Sequence, residues 1–176
     1  MVTATSTATP TADRTTEIHW ETRLFSGRSA PSVAAVPAAS ATAASATVDD
    51  LVDEARAAYH RISPRAAYQL LLHDRAVLVD IRPEAQRRAE GEVDPALRPV
   101  VIERNVLEWR LDPRSAARLP WTSYETRVLV LCQEGYASSL AAATLVRLGL
   151  NRATDIVGGL RAWREAGLPL AERVAA

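Results

Sequence analysis

Leu129-Val130-Leu131-Cys132-Gln133-Glu134-Gly135-Tyr136-Ala137-Ser138-Ser139 passes from an apolar run through a short polar loop into the helical pattern Leu140-Ala141-Ala142-Ala143-Thr144-Leu145-Val146-Arg147. The run over 127–131 is continuously apolar after Arg127, rich in branched side chains and abruptly ended. That pattern is expected of a strand buried on both faces. The helix is expected to begin about six residues after Cys132, with Ser138 or Ser139 as its N-cap. Three further runs of the same kind lie at 76–80, 99–102 and 155–157. Helical patterns over 83–90, 106–111 and 138–148 separate them, and another over 160–165 follows the last. Strands alternating with helices predict an α/β fold with a mainly parallel central sheet and helices on both faces.

Upstream, Thr47-Val48-Asp49-Asp50 reads as a capping box with Asp in the place of Glu, opening a helix that runs to about His60. Ser63-Pro64 is a second start signal, Ser as N-cap and Pro in the first turn. Tyr68, Leu71 and Leu72 are the expected inner face of that second helix. Residues 1–46 are rich in Ala, Thr, Ser and Pro and too poor in large apolar side chains to offset their ordering entropy. The expected organisation is therefore a low-complexity disordered tail over 1–46, a leading helix over 47–62 and the main domain over 63–172. Within the tail, His19-Trp20 and Leu24-Phe25 form an aromatic island, either a chance sticky patch or a short docking motif.

The 176 residues suffice for one domain with a real core. Formal net charge is zero, and all 21 basic residues are arginine. A neutral chain has no general attraction for nucleic acid or an anionic membrane, so neither is expected as a partner. No apolar stretch approaches a membrane span. The first residues lack the basic start and apolar core of a secretory signal, and Arg14 stands alone, so a cytoplasmic setting is expected. The single cysteine cannot form an internal disulfide, which suits a reducing compartment. It cannot form a multi-cysteine metal site either, and neither metal nor cofactor is expected.

Cys132 is the residue that points to chemistry. It ends a predicted buried strand, and in open α/β sheets ligands bind beyond the carboxyl ends of strands. A short loop feeding a helix aims backbone N–H groups into one concavity, where the helix dipole adds to the attraction for an anion. Gly135 allows the backbone twist such a ring needs. A cysteine placed there is expected to favour the nucleophilic thiolate. The ordinary alternative is an inert cysteine acting as a small hydrophobe.

This loop resembles the active-site loop of the rhodanese family of sulfurtransferases, Cys-x-x-Gly-x-Arg before a helix, at Cys132, Gly135 and the following Ser138. Leu78-Val79-Asp80-Ile81-Arg82 resembles the family's Asp-Val-Arg strand end. Gly158-Gly159-Leu160-Arg161-Ala162-Trp163 with Ala166-Gly167-Leu168-Pro169 is similar to its C-terminal ending. The resemblance covers about residues 60–172. It implies a single-domain rhodanese-like fold and a persulfide on Cys132 as the catalytic residue. It also implies a small sulfur-containing donor and a thiol acceptor, with a protein partner as one form of acceptor.

The chain departs from the family at Ala137, where the loop arginine is missing. Losing a charge-assisted bond to an anion costs about 1.5–3 kcal/mol, roughly a 10- to 150-fold weaker hold on thiosulfate. Glu134 adds a negative charge that discourages anionic donors. The family's Gly-His-Ile-Pro-Gly-Ala stretch reads Gly91-Glu92-Val93-Asp94-Pro95-Ala96, without the histidine. Gln133, Glu134, Gly135, Tyr136, Ala137 and Ser138 are the expected substrate-binding loop, Tyr136 as an aromatic wall or simply an exposed ring. Arg82 and Arg104 are candidates for the missing positive charge; for Arg82 the competing expectation is an ion pair with Asp80 or Glu103. Trp109 and Trp163 are expected in the core, and His60 and His73 on the surface. Two functions compete: a sulfurtransferase with weak thiosulfate use, and a non-catalytic rhodanese-like binding or regulatory module. A phosphatase or arsenate reductase would need arginine about six residues after the cysteine, where Ser138 stands.

Overall fold

The computed structural model describes residues 45–172. The tail expected over 1–46, with its aromatic island, lies outside these residues except for 45 and 46. Both capping signals act as expected. The Thr47 side chain accepts from the Asp50 amide while Asp50 accepts from the Thr47 amide, opening α1 (Val48–Ala57). These bonds hold the exposed Asp50 carboxyl below its ordinary range, the Thr47 backbone bond first. Ser63 accepts from the Ala66 amide and Pro64 occupies the first turn of α2 (Pro64–Leu72). Of the residues expected on its inner face Leu71 is buried, Tyr68 is half-buried and Leu72 is exposed; Ala67, one turn before Leu71, is buried instead.

The four apolar runs form one parallel sheet of order β2-β1-β3-β4, with β1 (Val77–Asp80) and β3 (Val128–Leu131) at its centre. The edge strands are short. β2 (Val100–Val101) begins after Pro99, which has no amide to donate. β4 (Thr154–Asp155) starts one residue earlier than expected and ends before the turn at Gly158-Gly159. A bridge from Ile62 to Ile156 prolongs its line.

Side-chain alternation along the central strands divides the core in two. Val79, Ile81, Val128, Val130 and Cys132 face Leu107, Leu111, Ala141, Ala142 and Leu145, on α4 (Leu107–Leu111) and α5 (Ala137–Arg147). Leu78, Leu129 and Leu131 face Ala67, Leu71, Leu160 and Trp163, on α2 and α6 (Gly159–Glu165). α1 packs on α5, and α3 (Glu84–Glu90) follows β1 without a buried side chain. Helices therefore cover both sheet faces. No helix among the described residues is long and apolar enough to cross a membrane.

Trp163 is fully buried, meets Tyr68 edge-on and donates its indole N–H to the Pro169 carbonyl at 3.0 Å. Trp109, expected in the core, is instead 62% exposed. In the one and a half turns of α4, Leu107 and Leu111 occupy the inward face at i and i+4, which turns residue 109 outward. His60 and His73 are exposed. Trp163→Ala is expected to cost about 3–5 kcal/mol and Trp109→Ala no more than about 0.5 kcal/mol, both read as shifts in urea unfolding midpoints.

Candidate active site

β3 ends at Leu131, and Cys132 begins the loop at the carboxyl edge of the sheet. Two main-chain amides donate to its Sγ, Gly135 at 3.2 Å and Ser138 at 3.4 Å. The thiol lies 3.2 Å from the Ser138 hydroxyl and can donate to it. Cys132 is 7% exposed, packs against the core and lines a cleft of about 480 Å³. Gln86, Glu90, Gln133, Glu134, Tyr136 and Ala137 complete the cleft wall.

Two glycines make this loop possible. Gly135 has φ of +81°, and a Cβ there would lie 2.9 Å from the Gly158 amide nitrogen. Gly159 has φ of +59° and abuts the loop so closely that a Cβ would lie 2.4 Å from the Cys132 carbonyl oxygen. The approach allows the first amides of α6 to hold the loop. Leu160 donates to the Cys132 carbonyl at 2.9 Å and Arg161 to the Gln133 carbonyl at 3.0 Å.

The helix after the loop starts differently from expectation. Tyr136 is at the N-cap without a side-chain bond, and neither Ser138 nor Ser139 caps α5. Both hydroxyls lie 3.1 Å from Oδ2 of Asp155, a fully buried carboxylate at the end of β4. Asp155 also accepts from Arg61 Nε at 2.7 Å and Nη2 at 2.9 Å, and from the Tyr59 hydroxyl at 2.9 Å. The bonds from Asp155 raise the Arg61 pKa above its ordinary value, against a smaller loss from burial. Burial, and then the Asp155 charge, push the Tyr59 hydroxyl far above the ordinary phenol range, so it remains a proton donor. Arg61 Nη2 also donates to the Gly135 carbonyl at 3.3 Å. Arg56 donates to the same carbonyl at 3.2 Å and to Ser139 Oγ at 3.2 Å, and its guanidinium lies over the Tyr136 ring at 5.2 Å.

The sequence-predicted site residues divide. Cys132, Gln133, Glu134, Tyr136 and Ala137 line the cleft, while Gly135 and Ser138 contact the sulfur from within the loop. Glu134 is paired with Arg161 at 2.5 Å, which offsets the charge expected to repel anions. Arg82 is 1% exposed and does not reach into the cleft as a free cation. It holds Asp80 at 2.6 Å, Glu90 at 3.3 Å and the Gly91 carbonyl at 3.0 Å, touching the loop only through Gln133 Oε1 at 3.4 Å. Burial opposes its charge, and the bonds from Asp80 and Glu90 more than offset that, raising its pKa. Arg104 lies outside the cleft wall and pairs with Glu108 at 2.8 Å. It follows the edge strand β2, which β1 separates from β3 and its cysteine loop. Around Val93, the stretch that lacks histidine is structural: Val93 is buried and Asp94 accepts from the Ala96 amide.

Asp155, Arg61, Tyr59 and Arg56 escaped the sequence reading. One signal was present: a carboxylate inside a buried strand needs a partner. Nothing in the spacing identified which of 21 arginines supplies it.

A family model described as rhodanese-like domain matches residues 63–166. Thiosulfate sulfurtransferase GlpE of Actinobacillus pleuropneumoniae is 31% identical over 113 residues, 64% of this chain and 93% of that protein. A Rhodopseudomonas palustris protein of unknown function, described as a possible tyrosine phosphatase, superposes with a TM-score of 0.65 at 27% identity, covering 76% of this chain and 100% of its own. The homodimeric polysulfide-sulfur transferase of Wolinella succinogenes gives 0.57 at 30% identity, over 69% of this chain and 85% of its own.

Gly159→Ala tests the contact on which the loop rests. It is expected to cost about 1–2 kcal/mol from its left-handed backbone and a further ~1–3 kcal/mol from overlap with the Cys132 carbonyl. Urea unfolding reads the loss, and altered Cys132 alkylation kinetics read the displaced loop.

Proposed function

The chain belongs to the rhodanese-like domain family, and from that membership we propose that it is a sulfurtransferase working through a persulfide on Cys132. The observation that carries the reading is the pair of amides, Gly135 and Ser138, donating to the Sγ of a cysteine that lines an open cleft. Main-chain donors fixed in a loop stabilise a sulfur anion without reorganising. The Cys132 thiolate attacks the outer sulfur of a persulfide or polysulfide donor. A Cys132–sulfur bond forms, the donor S–S bond breaks, and the donor leaves as a thiolate with the bonding electron pair. An acceptor thiolate then attacks the outer sulfur, takes it as its own persulfide and releases the Cys132 thiolate. The acceptor is a small thiol or a protein thiol. A reducing, cytoplasmic compartment suits this chemistry, since the lone cysteine remains free there.

The cleft wall offers no cation to hold the oxyanion end of thiosulfate, which favours persulfide and polysulfide donors over it. Its charged members are Glu90 and Glu134, each paired with an arginine outside the wall, and among the described residues no arginine lines it. Ala137, at the first position of α5, is where the family's guanidinium would meet an oxyanion. The same absence, with Ser138 six residues after the cysteine, weighs against phosphate-ester chemistry.

Two measurements test the reading. Treatment with glutathione persulfide is expected to add one sulfur to Cys132 by mass spectrometry, and none in Cys132→Ser. No sulfur gained from any sulfane donor would favour the non-catalytic binding module. In steady-state assays, thiosulfate is expected to be the poor donor, and Ala137→Arg is expected to raise its kcat/KM about 10- to 150-fold.

A further inference from the structure

Asp155 and Ser138 together pose a question of proton supply behind the cysteine loop. The Ser138 hydroxyl carries one proton and faces two acceptors, Cys132 Sγ at 3.2 Å and Asp155 Oδ2 at 3.1 Å. With Cys132 as a thiol, S–H donates to Ser138 and Ser138 donates to Asp155. With a sulfur anion, the Ser138 proton is needed at sulfur and Asp155 must be satisfied by others. It has them: two bonds from Arg61 and one from Tyr59. Ser139 lies 2.7 Å from the Gly135 carbonyl and 3.1 Å from Asp155 Oδ2, so its single proton goes first to the carbonyl.

We propose that Arg61, Tyr59 and Asp155 form a positioning unit that sets the charge on Cys132 from behind the loop, in place of the guanidinium missing at Ala137, by freeing the Ser138 hydroxyl to turn to sulfur. As an account of catalysis this rests on the sulfur-transfer reading. The other charged or titratable groups around the loop are Arg56 and Tyr136, the Glu134–Arg161 pair, and Arg82 with Asp80 and Glu90. None of them bonds to the Ser138 hydroxyl.

The two halves of the Arg61–Asp155 pair are expected to act in opposite senses. Without Arg61, Asp155 retains the Ser138 proton and its uncompensated charge disfavours a sulfur anion. Without the Asp155 charge, the Ser138 proton is free for sulfur and the Arg61 cation remains beside the loop.

The test is the pH dependence of Cys132 alkylation by iodoacetamide in the full chain. In Arg61→Gln the pH of half-maximal rate is expected to rise by about one unit, slowing alkylation about tenfold at pH values below it. In Asp155→Asn it is expected to fall, and Arg61→Lys is expected to restore part of the Arg61→Gln change. Loosening of the fold alone would change the maximal rate or move both variants the same way. Unmoved midpoints, or shifts of the same sign in Arg61→Gln and Asp155→Asn, would overturn the proposal. Should either variant fail to fold, the near-isosteric Tyr59→Phe carries the test: a smaller upward shift supports the unit and no shift overturns it. Alkylation needs no sulfur donor. Opposed midpoints in a chain that takes up no sulfur would therefore keep the positioning unit and remove only its role in transfer.

Discussion

The contact between the Gly158-Gly159 turn and the cysteine loop is the constraint on which the site depends. A strand end and a loop carbonyl normally lose their hydrogen-bond partners at the edge of a sheet, and a buried carbonyl without a partner is costly. Here the start of α6 comes so close that its amides take the carbonyls of Cys132 and Gln133. That approach demands a residue without a Cβ at position 159. With those carbonyls held from one side, the remaining backbone of the loop turns its Gly135 and Ser138 amides toward the sulfur. The left-handed Gly135 completes the turn. The Gly158-Gly159 turn is thus part of the cysteine site, although Gly159 follows Cys132 by 27 positions.

Charge is distributed around the loop by arginine alone. A planar guanidinium can hold a carboxylate with two donors and still reach a carbonyl, which a compact ammonium cannot do in the same geometry. Arg82 does this for Asp80 and the Gly91 carbonyl, fixing the end of β1 beside the cleft. Arg61 does it for Asp155 and the Gly135 carbonyl. These cations anchor backbone rather than line the cleft, which leaves Glu90 and Glu134 as its charged surface. The charges of the site are therefore paired throughout, Arg61 with Asp155 behind the loop, and Arg82 with Glu90 and Arg161 with Glu134 at the cleft.

Most of the fold was legible because its signals are local. Capping chemistry at Thr47 and Ser63, and four apolar runs separated by helical patterns, depend only on neighbours in sequence. The cysteine loop was legible for the same reason. Errors appeared where neighbouring side chains compete for one face or one partner, and at the one pair set from afar. Trp109 was expected inside because it is aromatic, but a short helix had already committed its inner face to Leu107 and Leu111. Arg82 and Arg104 were candidates for the cleft because each follows a strand. The first is held by carboxylates on β1 and α3, and the second by its own helical neighbour Glu108. Arg61 and Asp155 stand 94 positions apart, and no local pattern joins them.

The serines illustrate how such a distant partner changes local chemistry. By sequence, Ser138 or Ser139 is a good helix cap, and a capping hydroxyl accepts from the amides two or three residues on. The helix instead begins at Ala137, so both serines lie inside its first turn, where their hydroxyls meet Asp155. With Tyr136 at the N-cap the helix begins without a side-chain cap, and amides at helix starts need an acceptor. Cys132 Sγ takes the Ser138 amide and so stands in for the missing cap. A sulfur that gains negative charge becomes a better acceptor at the positive end of the helix. The start of α5, uncapped by any side chain, is thus available to the reactive atom.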